Sequence, residues 1–383
     1  MRIAMVHTRY ARAGGVETYI AGLADRLLDL GHEVHFVSRR SAEDSPPPGL
    51  RLHAVPRIRW PESLKHMGFA LLSRRALRRL ERSGPFDVVH GFSSTLEQDI
   101  YTDGAGLVDG FAASLAASES NALGKAWKMH APRRAVARWI EARRFRHPRL
   151  QKVLAMSGAV REGIMGRYGL APERVEVLHP PVDLERFHPE NRDRWRRIPR
   201  EILRAPTDVP VLLFTGNGFA CKGLDVLIGA LALLPKGAWI LWVAGRDRRQ
   251  EEAQRLAASL GVTARFLGFS QELPALCAAA DAFALPSRFD AFGAAALEAM
   301  SAGLPVVVSA RAGACEVIED GRSGLILHDP ESRQELSGHL QALIDGDLRR
   351  RLGAAARTAA EGLSWDAHLP RVLAAYRDVR RGH

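Results

Sequence analysis

The sequence predicts an α/β protein built from two doubly wound domains, and three observations support this prediction. The chain is 383 residues long, which suits two domains of ordinary size better than one. Short apolar segments alternate with segments of helical periodicity in two separate series. A segment rich in proline and charge, residues 179–205, lies between the series. We therefore expect two parallel sheets that face a central cleft, where ligands of such sheets bind.

The first series begins with an apolar strand at residues 1–7 and a glycine-containing loop. Apolar residues then follow the three-and-four spacing of a helix with one buried face, which ends at Gly31. Residues 32–40 form the next strand, and a strand–helix–strand unit of this length implies parallel strands. Further strands of this sheet are predicted at residues 86–92, 99–106 and 152–157.

The second series begins with a strand at residues 209–218 and again alternates strand and helix. The predicted elements are a helix at 224–234, a strand at 238–245, a helix at 247–260, strands at 264–269 and 282–287, a helix from Phe292-Gly293 to Gly303, and a strand at 305–309. A helical tail is interrupted at residues 363–368. We place the N-terminal domain at 1–183, completed by the last helix at 365–383, and the C-terminal domain at 184–364.

Composition restricts the class of protein. The chain is 46% hydrophobic and 25% charged, as in soluble globular proteins. The first residues lack the pattern of a secretory signal, and no apolar run reaches bilayer length. Three cysteines without paired spacing indicate a reducing cytoplasm and no metal site. The net charge of +11 suits nucleic acid, anionic lipid or a phosphorylated substrate, and does not choose among them.

Two glycine-rich loops follow strands and precede helices, a position that favours phosphate. The first contains Gly14-Gly15, for which a simple tight turn is an equal alternative. The second contains Gly216, Asn217 and Gly218, followed by Lys222 and Gly223, and here phosphate binding is the better interpretation. Neither loop matches the dinucleotide fingerprint or the P-loop. Arg39 and Arg40, after the second strand, keep an NADP-dependent oxidoreductase as a distant alternative.

Two acids eight residues apart, Asp290 and Glu298, flank the start of a predicted helix. Gly293 and the alanines after it keep the first turn free of bulk, so that a ligand can reach the backbone amides. Carboxylates accept hydrogen bonds from paired hydroxyls, as in a sugar and a ribose. The alternative is an acid favoured by the helix dipole and an ordinary solvated glutamate. The helix taken alone does not decide between these interpretations.

Taken together, these segments resemble the retaining GT-B glycosyltransferases of family four. The resemblance covers nearly the whole chain and includes the Gly14-Gly15 loop, "GNGFACKGLDVLIGAL", "DAFGAAALEAMSAGLPVVVS", "GACEVIEDGRSGLIL" and "LSWDAH". Within the family, the chain is most similar to the lipopolysaccharide core heptose glucosyltransferases, through "HGFSSTLEQDIYTDG" and the basic segment after it. The fold that this resemblance implies is GT-B, with two Rossmann-like domains.

The resemblance also implies a role for each residue of the second domain's loops. Glu298 would bind the nucleotide ribose and Asp290 the hydroxyls of the donor sugar, while Lys222 would neutralise the departing diphosphate. The remaining donor-binding positions would be the 216–218 loop with Gly216 and Asn217, the backbone of Ala291, Phe292 and Gly293 at the sugar, Ala294 and Ala295 at the phosphates, Phe269 near the base, and Gly14 and Gly15 from the other domain. No metal and no cofactor other than the donor substrate is expected, because cations and helix termini replace Mg²⁺.

Three positions depart from the family pattern. The first acid of the usual Glu-x7-Glu motif is the shorter Asp290. The arginine that usually assists the lysine is missing, since Asn217 and Cys221 stand where relatives often carry it. Arg246 is a possible substitute. The linker reads "PPVD" at residues 180–183 instead of "NGVD".

Asp99 and Asp103 are the candidates for contact with the acceptor, in a loop expected to face the cleft. A turn aspartate that caps local backbone is an equal alternative for either residue. The resemblance implies a glycosyltransferase that moves a hexose, glucose, with retention from UDP-glucose to a lipopolysaccharide core or another membrane glycolipid. The alternatives are a nucleotide-sugar epimerase of similar architecture and an inactive protein that only binds the donor.

Two basic segments, residues 121–152 and 65–82, are predicted to contact an anionic membrane surface. The first has ten lysines and arginines against one acid, Glu141, with aromatic residues between them. Such segments suit anionic lipid, and nucleic acid is not the expected partner. The predicted location is the cytoplasm, at the inner face of the cytoplasmic membrane. A solvated basic surface is the alternative.

Overall fold

The computed structural model describes residues 1–12, 14–39, 46–56, 62–117, 124, 126, 127, 129 and 131–379, without the side chains of 62–64. It confirms the α/β class with two parallel sheets. The chain divides into two compact units, Met1–Pro180 with His368–His383, and Pro181–Ala367. The boundaries predicted from the sequence, 183/184 and 364/365, lie close to these divisions.

The N-terminal unit contains a sheet of seven strands in the order β3-β2-β1-β4-β5-β6-β7, in which every paired neighbour is parallel. The strands are β1 (Arg2–Val6), β2 (Glu33–Arg39), β3 (Arg51–Val55), β4 (Val88–Gly91), β5 (Ile100–Asp103), β6 (Lys152–Ala155) and β7 (Val175–Val177). The central strands β1, β4 and β5 are buried along nearly their whole length, because both faces of a parallel sheet are covered.

Helices cover this sheet and bury one face each. They are α1 (Gly15–Asp29), α2 (Glu62–Glu81), α3 (Val108–Ala117), α4 (Pro132–Phe145) and α5 (Gly158–Tyr168). In α1 the predicted apolar face is buried, with Ile20, Leu23 and Leu27 almost fully inaccessible. The periodicity therefore identified this helix and its inward face.

The C-terminal unit contains a sheet of six parallel strands in the order β10-β9-β8-β11-β12-β13. The strands are β8 (Val211–Thr215), β9 (Ile240–Ala244), β10 (Ala264–Gly268), β11 (Ala282–Leu285), β12 (Val306–Ser309) and β13 (Leu325–Leu327). The order reverses between β8 and β11, which are paired neighbours. The loops after these two strands therefore lie beside each other at a topological switch point, where doubly wound sheets bind ligands.

The helices of this unit are α6 (Asn191–Trp195), α7 (Arg197–Ile202), α8 (Leu224–Leu231), α9 (Gln250–Ser259), α10 (Leu273–Ala279), α11 (Ala294–Ser301), α12 (Arg333–Ala342) and α13 (Gly346–Glu361). The segment between the two series, residues 179–205, carries two short helices, α6 and α7. Helix α8 lies almost entirely in the core with strands β8, β9 and β11.

The last helix, α14 (Trp365–Val379), returns to the N-terminal unit from His368 onward. Its Tyr376 hydroxyl hydrogen-bonds His90 Nδ1 on β4 at 2.8 Å, and His368 Nε2 lies 3.1 Å from the Tyr19 hydroxyl on α1. Burial lowers the pKa of His90 to about 3, so this histidine is neutral and structural. Within the described ranges, no helix has the length and apolarity needed to cross a bilayer.

Candidate functional site

The best-developed site of the C-terminal unit lies at the carboxyl ends of β8 and β11. Loop 216–223 follows β8, and loop 286–293 follows β11. Lys222 Nζ of the first loop forms an ion pair with Asp290 Oδ2 of the second. Both side chains are largely buried, with 22% and 13% of their surfaces exposed. The structure thus brings together the cation and the acid that the sequence predicted separately.

Two glycines allow the backbones to approach this closely. Gly223 has φ +72°, and a Cβ there would lie 2.1 Å from the carbonyl oxygen of Pro286. Gly245, after β9, has φ +143°, and a Cβ there would lie 2.1 Å from the carbonyl oxygen of Gly216. Any other residue would push apart the loops that position Lys222.

The backbone around Asp290 is held by the segment after β12. Asp290 N donates to Arg311 O at 3.1 Å, and Asp290 O accepts from Gly313 N at 3.1 Å. Phe292 O accepts from Ala314 N at 2.7 Å. Ala291 and Phe292 are buried. The acid therefore belongs to a rigid turn, and the helix begins at Ala294, slightly later than predicted.

The N-terminus of α11 is open to a ligand. Its N-cap residue is Gly293, in the left-handed region at φ +93°, and no side chain caps the helix. Ala294 and Ala295 are partly exposed and add no bulk beyond a methyl group. Amides of a first helical turn have no intrahelical acceptor, and the helix dipole favours an anion there.

Glu298 lies one turn further along α11 and is half-buried. Burial raises its pKa to about 7, and the positive charge of Arg186 opposes the rise. Its charge in turn helps to raise the pKa of the buried Cys277 thiol, although burial of that thiol is the larger cause. By itself, the raised pKa of Glu298 makes the folded protein more stable at low pH than at high pH. This contribution is complete below pH 4.5 and is lost as the pH rises through 7.

We expect the affinity for a nucleotide sugar to depend on the ionisation of Glu298. In the predicted contact a ribose hydroxyl would donate to the carboxylate, so the donor should bind the deprotonated form, and the Kd should rise about tenfold between about pH 8 and pH 6. Calorimetric titration with UDP-glucose measures this change. Glu298→Gln should bind weakly with a flat pH profile, whereas Glu319→Gln, at an exposed side chain, should keep the wild-type profile. An unchanged slope in Glu298→Gln would assign the titration to another group.

Three neighbouring strands, β8, β9 and β10, are followed by Asn217, Arg246 and Phe269, of which only Phe269 was predicted to lie near the base. Asn217 Oδ1 accepts from Arg246 N at 2.8 Å, which uses the amide oxygen inside the loop. The Arg246 guanidinium lies 5.7 Å from the centre of the Phe269 ring, and Phe269 is 38% exposed. The Arg246 guanidinium is therefore positioned at the aromatic ring. The Cys221 thiol donates to Phe289 O at 3.3 Å.

Arg288 was not singled out from the sequence, yet it holds the two loops together. Its guanidinium binds both oxygens of Asp225 at 2.8 Å, Glu331, and the carbonyl oxygen of Ala220, and its backbone N donates to Cys221 O at 2.8 Å. Only 5% of this side chain is exposed. An arginine two residues before Asp290, at the end of a buried strand, was the available signal in the sequence.

Two hydroxyls at the ends of the same strands also escaped sequence reasoning. Thr215 is the last residue of β8, and Ser287 lies two residues after the end of β11. Both are buried, and neither has a hydrogen-bond partner in the described part of the chain. Buried hydroxyls normally have partners, so these atoms are available to a polar ligand or to water.

The remaining predicted site residues lie in the N-terminal unit. Gly14 is the N-cap of α1 at φ +105°, and Gly15 is the first residue of that helix. Asp103 ends β5 and accepts from the amides of Ala105 and Gly106 at 3.2 and 2.9 Å. Burial raises the pKa of Asp103. These bonds match the local-turn alternative, and an acceptor contact of Asp103 stays a prediction.

The expectation that Asp99 faces the cleft is wrong. Asp99 is completely buried just before β5, where its carboxylate accepts from Val89 N at 2.8 Å and pairs with Arg149 at 3.0 Å. A buried carboxylate with these partners stabilises the domain and offers no oxygen to an acceptor. Its partner, Arg149, belongs to the basic segment 121–152.

The predicted basic segments are in part internal. Arg149 also binds Glu81, Arg138 binds Asp109, and Arg144 lies 3.9 Å from the Tyr101 ring centre. Arg74 and Arg78, in the 65–82 segment, both bind Glu97. Lys125 and Lys128 lie outside the described residues. Part of the positive charge of these segments is thus used inside the domain. Several cations of the segments are exposed, among them Arg75, Arg78, Arg79, Arg133, Arg143 and Arg146.

The oxidoreductase alternative depended on two arginines after β2. Arg39 donates to the carbonyl oxygen of Lys65 at 2.7 Å and lies 5.4 Å from the Phe69 ring centre, so it packs against α2. Arg40 lies outside the described residues. The described arginine is therefore part of the domain's own packing.

Comparison with known proteins identifies the family. The model "Glycosyltransferase Family 4" matches residues 13–186, and "Glycosyl transferases group 1" matches residues 196–359. The D-inositol 3-phosphate glycosyltransferase of Salinispora arenicola is 32% identical, over 95% of this chain and 87% of its own. That of Salinispora tropica is 30% identical, over 97% and 82%.

A solved structure gives the same assignment. The crystal structure of WaaG, a glycosyltransferase involved in lipopolysaccharide biosynthesis, matches with a TM-score of 0.83 and 26% identity over all of both chains. Neither an epimerase nor an oxidoreductase fits these matches. The chain belongs to the GT-B glycosyltransferases of family four.

Proposed function

We propose that this chain transfers glucose from UDP-glucose to a saccharide of a membrane glycolipid, with retention and without a metal ion. The observation that carries the proposal is the Lys222–Asp290 pair at the switch point of the C-terminal sheet. It stands beside the uncapped N-terminus of α11, and Glu298 follows on the same helix. The donor is a diphosphate with a sugar on one side and a ribose on the other. A cation and a helix N-terminus suit the diphosphate, and the two acids suit the hydroxyls of the sugar and the ribose.

The ion pair supports a specific sequence of events on donor binding. Before the donor arrives, Asp290 neutralises Lys222. A diphosphate brings the greater negative charge to Lys222, and Asp290 then accepts hydrogen bonds from the sugar hydroxyls. Lys222 and the amides of Ala294 and Ala295 stabilise the charge that develops on the leaving diphosphate.

The transfer itself needs no protein base in this scheme. The bond between the anomeric carbon and the diphosphate oxygen breaks, and the acceptor hydroxyl forms a new bond on the same face of the sugar. Because the hydroxyl attacks from the leaving-group face, a phosphate oxygen of the departing diphosphate accepts its proton. Retention follows from that geometry.

Two acceptor chemistries compete. The solved WaaG structure concerns lipopolysaccharide biosynthesis, whereas the relatives from Salinispora are named for D-inositol 3-phosphate. A net charge of +11 suits a phosphorylated acceptor and also an anionic membrane. We favour the glycolipid and keep the inositol phosphate as the second candidate, because a relative that covers most of this chain carries that name.

One experiment tests the reaction. The protein is incubated with UDP-, GDP- and ADP-sugars, with and without a chelator, and with core oligosaccharide or D-inositol 3-phosphate as acceptor. Transfer of an α-linked glucose to the oligosaccharide, unaffected by the chelator, is the expected result. Transfer to D-inositol 3-phosphate alone would show that the acceptor is the inositol phosphate and not the glycolipid saccharide. Donor binding without hydrolysis or transfer would favour the inactive donor-binding protein.

A further inference from the structure

Helices α6 and α7 in the C-terminal unit have inverted polarity. Their arginines attach them to a buried aspartate of the unit, while a tryptophan and two isoleucines face the solvent. An amphipathic helix normally does the opposite. This inversion concerns a segment outside the donor site and outside the two basic segments predicted from the sequence.

Three arginines hold the helices on the unit. Arg192, Arg196 and Arg200 each donate to the carboxylate of Asp281, at 2.9, 2.8 and 3.0 Å. Their spacing of four residues places them on one helical face. Asp281 is 7% exposed and also accepts from Val211 N at 2.8 Å. These contacts determine which face of the two helices is turned outward.

The outward face carries Trp195, Ile198 and Ile202, which are 39%, 53% and 73% exposed. Their spacing of three and four residues aligns them in one stripe. A bend at Arg196 separates the two helices. It has a local cause, because Pro199 has no N–H to donate to the carbonyl oxygen of Trp195. Single exposed apolar residues are ordinary, but three in line within eight residues indicate a contact surface.

Exposed cations surround the stripe. Arg194, Arg197 and Arg204 are all exposed, and residues 190–204 contain six arginines against three acids. Trp beside Ile, with arginines at the margin, is the composition of a helix that lies in a lipid–water interface. The arginines match lipid phosphates, and the tryptophan matches the headgroup region.

We propose that helices α6 and α7 dock on an anionic lipid surface, with Trp195, Ile198 and Ile202 entering the headgroup region. Arg194 and Arg197 then pair with lipid phosphates. This inference rests on the membrane part of the proposed function and is independent of the transfer reaction.

Vesicle flotation of the full chain tests the proposal. The protein is mixed with phosphatidylcholine vesicles or with equimolar phosphatidylcholine–phosphatidylglycerol vesicles. The helix variant carries Trp195→Ser, Ile198→Ser and Ile202→Ser. The matched control carries Leu233→Ser, Leu260→Ser and Ile344→Ser, at residues of the same unit that are 56%, 40% and 37% exposed.

We expect wild type and control to float with the anionic vesicles, and the helix variant to partition at least about tenfold less. Hydrolysis of soluble UDP-glucose should be equal in all three proteins, which shows that the variants are folded. Equal flotation of wild type and helix variant would overturn the proposal while the membrane location stands. Failure of wild type to bind either vesicle would overturn both, without bearing on hexosyl transfer.

A second measurement identifies the surface directly. A polarity-sensitive fluorophore is attached at Ile202→Cys or at Leu233→Cys, each in a Cys315→Ser background. A blue shift at position 202 on anionic vesicles, and none at position 233, is expected. A blue shift at 202 that grows with protein concentration in the absence of vesicles would indicate self-association through the stripe and would overturn the lipid assignment.

Discussion

Replacing Lys222 with alanine should lower kcat/KM for the donor about 10²–10³-fold, the usual effect of removing one preorganised electrostatic partner of a leaving group. The effect is expected to be this large because the family's usual arginine is absent. At the position of that arginine, the Cys221 thiol hydrogen-bonds the carbonyl oxygen of Phe289. The substitute suggested from the sequence, Arg246, packs against the Phe269 ring. Lys222 is therefore the side-chain cation that the described loops 216–223 and 286–293 bring to Asp290.

The control for this variant is Lys236→Ala, which removes an exposed lysine of the same unit. Its steady-state kinetics should match those of wild type. Lys222→Arg should retain more activity than Lys222→Ala, because it keeps the charge and loses only the geometry. Near-normal turnover of Lys222→Ala would move leaving-group stabilisation to the amides of α11 alone.

A double-mutant cycle with Asp290→Asn separates charge pairing from catalysis. Lys222→Ala leaves a largely buried carboxylate without its partner, so part of its effect on stability should be recovered in the double variant. Turnover should not be recovered, because the leaving diphosphate still lacks its cation. Additive effects on stability would show that the pair contributes little to folding.

Much of the fold follows from local patterns. Short, mainly apolar strands alternate with amphipathic helices, and this alternation predicts parallel sheets because parallel neighbours need a crossover connection, usually a helix. Strands at a sheet edge were harder to find. β3 (Arg51–Val55) carries an arginine and a histidine, is only partly buried, and was not among the predicted strands. A short edge strand acquires its structure from its neighbour β2, which its own composition does not encode.

The residues of the proposed donor site could be predicted from their positions after strands, but their contacts could not. The ion pair of Lys222 with Asp290 joins positions 68 residues apart, and it depends on β8 and β11 being neighbours. The same limit explains the error at Asp99. Its partner Arg149 is 50 residues away, so a local pattern could not distinguish a buried, paired carboxylate from one exposed in a loop.

Replacing Arg288 with methionine should reduce both stability and turnover. The side chain is 5% exposed, while its partners Asp225 and Glu331 are 42% and 48% exposed. Because the acids regain water, the loss of unfolding free energy should be about 2–3 kcal/mol, below the value for a fully buried pair. Urea denaturation measures this loss.

Turnover should fall further than stability alone explains. Arg288 fixes the carbonyl of Ala220 and the first turn of α8, so its loss lets the loop that carries Lys222 shift relative to Asp290. Misplacement by about 1 Å can cost about 100-fold in rate, so kcat should fall about 10–100-fold under conditions where the variant is folded. The KM for the acceptor should change little, because Arg288 lies in the C-terminal unit, beside the proposed donor site.

Arg322→Met is the matched control, because Arg322 is 75% exposed and pairs with an exposed Glu319. It should change the unfolding free energy by less than about 0.5 kcal/mol and leave kcat unchanged. Arg288→Lys should fall between wild type and Arg288→Met, since an ammonium cannot bind Asp225 and Glu331 with the same fork. If Arg288→Met loses stability but keeps the kcat of wild type, Arg288 only stabilises the unit, and the position of Lys222 is determined by Gly223 and the backbone contacts of the two loops.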